Sequence, residues 1–211
     1  MMYRVIQIFH MRTGNGNKLT FLISGSALFV FAVVFFVVPL LISPSVTLPE
    51  RFITARGAAA MISGEIVRLT SETNDAIHAV NTLDFSKEKN QALELIARAR
   101  ETNKEAYGKA FALSQELQKI AESLAEIQSV EGRRIAYEAV ATELSLVSEF
   151  ISYTQNLQLF LDSVAALVVS DTEANKAAVN QSLLAVNEKT RLINELNGQF
   201  NTKMEEFEKE L

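Results

Sequence analysis

Residues 89–127 read KNQALELIARARETNKEAYGKAFALSQELQKIAESLAEI. In this stretch Ala92, Ile96, Ala99, Asn103, Ala106, Ala110, Leu113, Leu117, Ile120, Leu124 and Ile127 recur at alternating steps of four and three. Such steps average about 3.5 residues, close to one α-helical turn, so these side chains fall in a single stripe along a helix. Lys, Arg, Glu and Gln fill most positions between them. A stripe sustained over this length packs knobs-into-holes against partner helices with a left-handed supercoil.

The same spacing recurs on both sides. A first seam runs Phe52, Ala55, Ala59, Ile62, Ile66, Leu69, Thr73, Ala76, Val80, Leu83. A third runs Val140, Leu144, Val147, Ile151, Thr154, Gln158, Leu161, Ala165, Val168, and a fourth Val179, Leu183, Val186, Thr190, Ile193, Asn197, Phe200, Met204, Phe207, Leu211. Pro49 suits a first helical turn, where a missing N–H is harmless. Ser86, followed by Lys87-Glu88-Lys89, reads as an N-cap, and Ser170-Asp171-Thr172-Glu173 as a second helix start. A break near Ser129 to Arg133 rests on Gly132 and on length: it leaves every helix at about 33 to 42 residues, as antiparallel neighbours require. The expected fold is all-α, one N-terminal transmembrane helix followed by a long antiparallel up-down-up-down four-helix bundle over residues 50–211. A three-helix fold with a long kinked middle helix is the alternative.

The N-terminal part differs in kind. Residues 1–18 form a short tail with Arg4, Arg12 and Lys18 and no acid; residues 19–43, LTFLISGSALFVFAVVFFVVPLLIS, carry no charge, and residues 44–49 form a linker. Twenty-five uncharged residues exceed what about 30 Å of hydrocarbon requires at about 1.5 Å per residue. The expectation is a single-pass anchor. Ser43-Pro44-Ser45 is a poor site for signal-peptide cleavage, the main rival. The basic tail places the N-terminus in the cytoplasm and the large domain outside. Val5, Ile8 and Phe9 fit a short helix lying on the inner membrane surface, and a structureless tail fits equally well.

Composition excludes much chemistry. There is no cysteine, hence no disulfide, thiolate ligand or cysteine nucleophile. All 25 acids and 17 of the 20 Lys and Arg follow residue 49, so the bundle is acidic and nucleic acid is not an expected partner. Asp75-x-x-His78 is one half of a di-iron pattern that the second histidine, His10 in the tail, cannot complete. The GNGNK run at 14–18 follows no predicted strand and is not a nucleotide loop. With LTFLI after it the run resembles a type IV pilin leader, but Phe21 stands where pilins carry an acid, and that reading is set aside. Asn180, Asn187, Asn194 and Asn201 recur every seven residues beside the fourth seam and read as polar flanks. Asn180-Gln181-Ser182 is a formal glycosylation acceptor in mid-helix, a poor place for one. No cofactor and no catalytic residue is expected.

Two surfaces and one interior feature stand out. Gly57, Ala60 and Gly64, flanked by Ile53 and Val67, lie opposite the first seam, where small residues permit close approach by another helix. Over residues 157–169 the third helix is apolar nearly all round; Leu159 and Ala166 face away from its seam, with Phe160 and Leu167 on one flank. Thr73, Asn103 and Thr154 interrupt three seams at matching heights, about 33–38 Å from one end at about 1.5 Å per residue, with Thr190 a turn or two lower. They form a candidate buried polar layer that fixes register or lines a small ligand site.

The layout resembles the extracytoplasmic four-helix bundles of bacterial chemoreceptors and sensor kinases. Those receptors re-enter the membrane and carry a cytoplasmic output domain, whereas this sequence stops at Leu211. The functional expectation is a membrane-anchored extracytoplasmic bundle that is not an enzyme and serves as an interaction scaffold or accessory subunit of an envelope complex. Its partners would be the lipid bilayer and a protein partner or second copy. The alternative is a sensory or ligand-binding bundle that signals through a partner protein.

Overall fold

The computed structural model describes residues 6–12, 18–24 and 49–210, with side chains over 49–206. From Glu50 onward the chain is four helices: α1 (Glu50–Thr82), α2 (Lys89–Ser123), α3 (Val130–Val169) and α4 (Glu173–Glu210). Their lengths of 33, 35, 40 and 38 residues match the near-equal helices expected from the seams.

Local chemistry explains the boundaries. Ile53 N–H donates to the Pro49 carbonyl, so the proline opens α1. Asp84, and not Ser86, organises the α1–α2 turn: its carboxylate accepts from Ser86 N–H at 3.1 Å and from the Ser86 hydroxyl at 2.6 Å. Glu88 Oε2 accepts from the Asp84 N–H. The expected Ser86 cap is thus displaced by a stronger acceptor two residues earlier. A single 3-10 turn, Leu124–Glu126, follows α2, and Ser129 Oγ caps α3 by accepting from Gly132 N–H at 3.0 Å. Thr172 Oγ1 does the same for α4 through Asn175 N–H.

The helices divide between two compact units. The first holds Arg68–Tyr107 and Ser152–Arg191. There α2 and α3 run antiparallel, tied by Lys89 to the Val169 carbonyl, Arg100 to Asp162 and Asn103 to Thr154. Its core holds small residues of α2 (Ala92, Ala99, Ala106) and large ones of α3 (Tyr153, Leu157, Phe160). The second unit holds α1 up to Val67, Gly108–Ile151 and residues from Leu192 on. Lys109 pairs with Glu65 and Lys203 with Glu138 across its helices. Phe52, Leu113, Leu117, Phe150 and Phe200 fill its core around Ala55, Ala59 and Ala110.

Every residue of the second seam is buried. The third seam needs correction. Leu144, Ile151, Gln158 and Ala165 are only half-buried, and the core positions are their predecessors Glu143, Phe150, Leu157 and Val164. Val140, Val147, Thr154, Leu161 and Val168 hold, so α3 buries a stripe about two residues wide, as a helix wedged between two neighbours does.

At the N-terminus, strands β1 (Ile6–Arg12) and β2 (Lys18–Ser24) pair antiparallel, Arg12 opposite Lys18. The first six residues of the anchor expected over 19–43 are therefore strand, as are Ile8 and Phe9 of the expected surface helix. The cause is legible afterwards: TGNGN lies between two runs rich in β-branched and aromatic residues, and Gly-Asn pairs are hairpin-turn residues. Residues 25–43 lie outside the described residues. Among the described residues no helix is long and apolar enough to cross a membrane.

Candidate functional site

In the first unit the three residues expected to form a polar layer are all buried: Thr73, Asn103 and Thr154 are 2, 4 and 2% exposed. They are joined as two links and not as one cluster. Asn103 Nδ2 donates to the Thr154 main-chain carbonyl at 2.8 Å, fixing α2 to α3. Thr73 Oγ1 meets Thr102 Oγ1 at 2.8 Å, fixing α1 to α2. One of these two hydroxyls donates to the other, and the acceptor spends its own proton on a carbonyl of its own helix, Leu69 for Thr73 or Ala99 for Thr102; the buried Thr190 likewise donates to the Val186 carbonyl. Thr102 escaped the sequence reading because it stands one position off the seam; its only signal is that it adjoins Asn103. A groove of about 340 Å³ opens on this layer, with Arg100, Lys104 and Tyr107 of α2 and Gln155 and Gln158 of α3 around Asn103 and Thr154.

The distal apolar surface expected on α3 is largely core. Phe160 and Leu167 are 1 and 2% exposed, because the wide α3 stripe reaches them. Leu159 alone of the three faces outward, at 59%, with Ala166 also exposed. Replacing Leu159 by aspartate is expected to change stability by less than about 0.5 kcal/mol in a thermal melt, whereas Phe160→Asp should prevent folding. Asp75 and His78 are both exposed, as are Asn180, Asn194 and Asn201.

In the second unit the outward face of α1 is open. Gly57 and Gly64 are exposed, and a Cβ built on either meets nothing within 4 Å. Ile53 is 53% exposed and Met61 74%, with Ala60 and Val67 half-buried beside them. From Phe52 to Gly64 the only charged residue is Arg56, and it is turned inward, 7% exposed. Four turns of helix thus show solvent an uncharged surface of small and apolar side chains.

Behind that face lies the feature the sequence reading missed. Arg56 and Glu143 line one internal cavity of about 20 Å³, otherwise walled by apolar residues such as Phe52, Leu117, Val140 and Phe200. Glu143 is 4% exposed, and burial pushes its carboxyl up to about 8. Burial also lowers the pKa of the Arg56 guanidinium. A charged residue in a helix is ordinarily assigned to solvent, and the seam through Leu144 passes Glu143 by. The usable signal was that Glu143 stands three residues from Val140 and four from Val147.

Compared with protein-family models, with curated proteins and with solved structures, the chain finds no match.

Proposed function

We propose that this chain is a membrane-anchored helical bundle, held outside the cytoplasm, that serves as a non-enzymatic interaction scaffold or accessory subunit of an envelope complex. The observation that carries the reading is the outward face of α1, where Ile53 and Met61 are exposed around Gly57, Ala60 and Gly64. Exposed apolar surface of this kind marks contact with another protein, and glycines at a seven-residue interval admit a second helix close to the backbone. The anchor reading rests on sequence: residues 25–43, beyond β2, are nineteen uncharged residues, about 28 Å of helix. An anchor there would put the α1 face just beyond the membrane, within reach of proteins sharing that membrane.

The test is crosslinking of the full chain in membranes. The double variant Gly57→Leu, Gly64→Leu should abolish the crosslinked oligomer or partner adduct. Because neither glycine's missing Cβ faces a neighbour, melting temperature should not fall. Unchanged crosslinking would reject this face as the contact. The alternative, a sensory bundle signalling through a partner, is favoured by the groove over Asn103 and Thr154.

A further inference from the structure

We propose that the cavity holding Glu143 and Arg56 is a proton-controlled lock on the second unit: a neutral Glu143 lets the four helices close over it, and loss of that proton opens the turns of α1 and α4 that wall it. The inference is independent of what the outer face of α1 binds.

All four helices contribute to the wall. Phe52 and Arg56 come from α1, Leu117 and Ile120 from α2, Val140 and Glu143 from α3, Phe200 and Met204 from α4. Glu143 is 4% exposed, and burial is what displaces its titration. The groups facing it are few. Arg56 is the one charged side chain that α1 supplies, and α2 and α4 present only apolar residues to the cavity. Nearby Glu138 and Lys203 are paired with each other at 2.9 Å.

The volume decides the consequence. A cavity of about 20 Å³ has room for about one water. A neutral carboxyl is satisfied by so little; a carboxylate needs several donors, and leaving it short of them in an apolar site is costly. The closed form therefore selects the protonated acid, consistent with the upward displacement of its titration. Once ionised, Glu143 recovers hydration only if the wall parts. Opposite α3, the helix that carries Glu143, α1 supplies Phe52 and Arg56 to that wall and α4 supplies Phe200 and Met204.

The lock is tested on the full chain in lipid nanodiscs by hydrogen–deuterium exchange from pH 5 to 9, corrected for intrinsic exchange. Wild-type protection at residues 52–56 and 200–204 should fall about tenfold per pH unit until the folded carboxyl titrates. The Glu143→Gln variant, which cannot ionise, should show a flat profile, and Glu143→Met provides the same control if the glutamine variant folds poorly. Carbon-13 NMR of labelled glutamate should place the Glu143 titration well above the ordinary carboxylate range. A wild-type profile as flat as the variants', a variant slope equal to wild type, or titration near 4.5 because Arg56 pairs with the carboxylate inside the closed cavity would each overturn the proposal.

Discussion

Replacing Phe150 by alanine is expected to lower stability by about 3–5 kcal/mol, the cost of emptying an aromatic site that cannot collapse. Phe150 is 0% exposed, in the middle of α3, with the second unit's core around it. Replacing its neighbour Ile151, which is only half-buried, should cost less than about 2 kcal/mol. Denaturant melts of the two variants separate two frames for α3. A seam through Ile151 ranks the isoleucine as the more damaging loss; the structure ranks the phenylalanine. Equal effects would show that the α3 stripe is centred between them.

The second large effect is on pH dependence. Glutamate ordinarily titrates near 4.5, and burial pushes Glu143 up to about 8. Between those values the folded protein holds a proton that the unfolded chain has lost. Stability must then fall as pH rises through this window, by about 1.4 kcal/mol per pH unit. The contribution is complete below pH 4.5 and gone above the folded value. Glu143→Leu removes it. Relative to wild type, the variant should gain about 3 kcal/mol between pH 5 and pH 8, read from urea midpoints at each pH. Parallel curves for the two proteins would mean that Glu143 titrates alike folded and unfolded.

These two variants also mark where sequence sufficed and where it did not. The second seam was fully legible, because its apolar positions are separated by unmistakably charged ones and periodicity alone locates the buried face. The first seam was nearly as clear, with only Ile62 and Leu83 half-buried. On α3 two frames one residue apart are both rich in apolar side chains. The frame drawn through Leu144, Ile151, Gln158 and Ala165 passes Glu143 by. A buried acid escapes such a reading, since nothing local distinguishes a desolvated glutamate from a surface one.

The site divides the same way. Helical rise alone put Thr73, Asn103 and Thr154 at one height, and all three are buried there. Rise says nothing of azimuth, so the partnership of Thr73 with Thr102, and the use of Thr154's carbonyl in place of its hydroxyl, were out of reach. The α1 glycines could be placed on an outer face from spacing; whether a neighbour filled the space beside them needed coordinates. The apolar-run reading absorbed β2 into the expected anchor helix and left the Gly-Asn run before it in the tail, where it was the signal for a hairpin.

Two similar amphipathic helices can pack at several longitudinal offsets, and seams of uniform size scarcely distinguish one offset from the next. The seams here are uneven. Within the first unit α2 offers alanine at residues 92, 99 and 106, while α3 offers Tyr153, Leu157 and Phe160. Sliding α2 along α3 by half a heptad would bring Ile96 and Asn103 to the levels that Ala99 and Ala106 hold, and would part Asn103 from the Thr154 carbonyl, leaving a buried amide unpaired at a cost of about 1–3 kcal/mol. Within the first unit this unevenness resists longitudinal slippage of α2 on α3, a choice that neither helix propensity nor loop length makes.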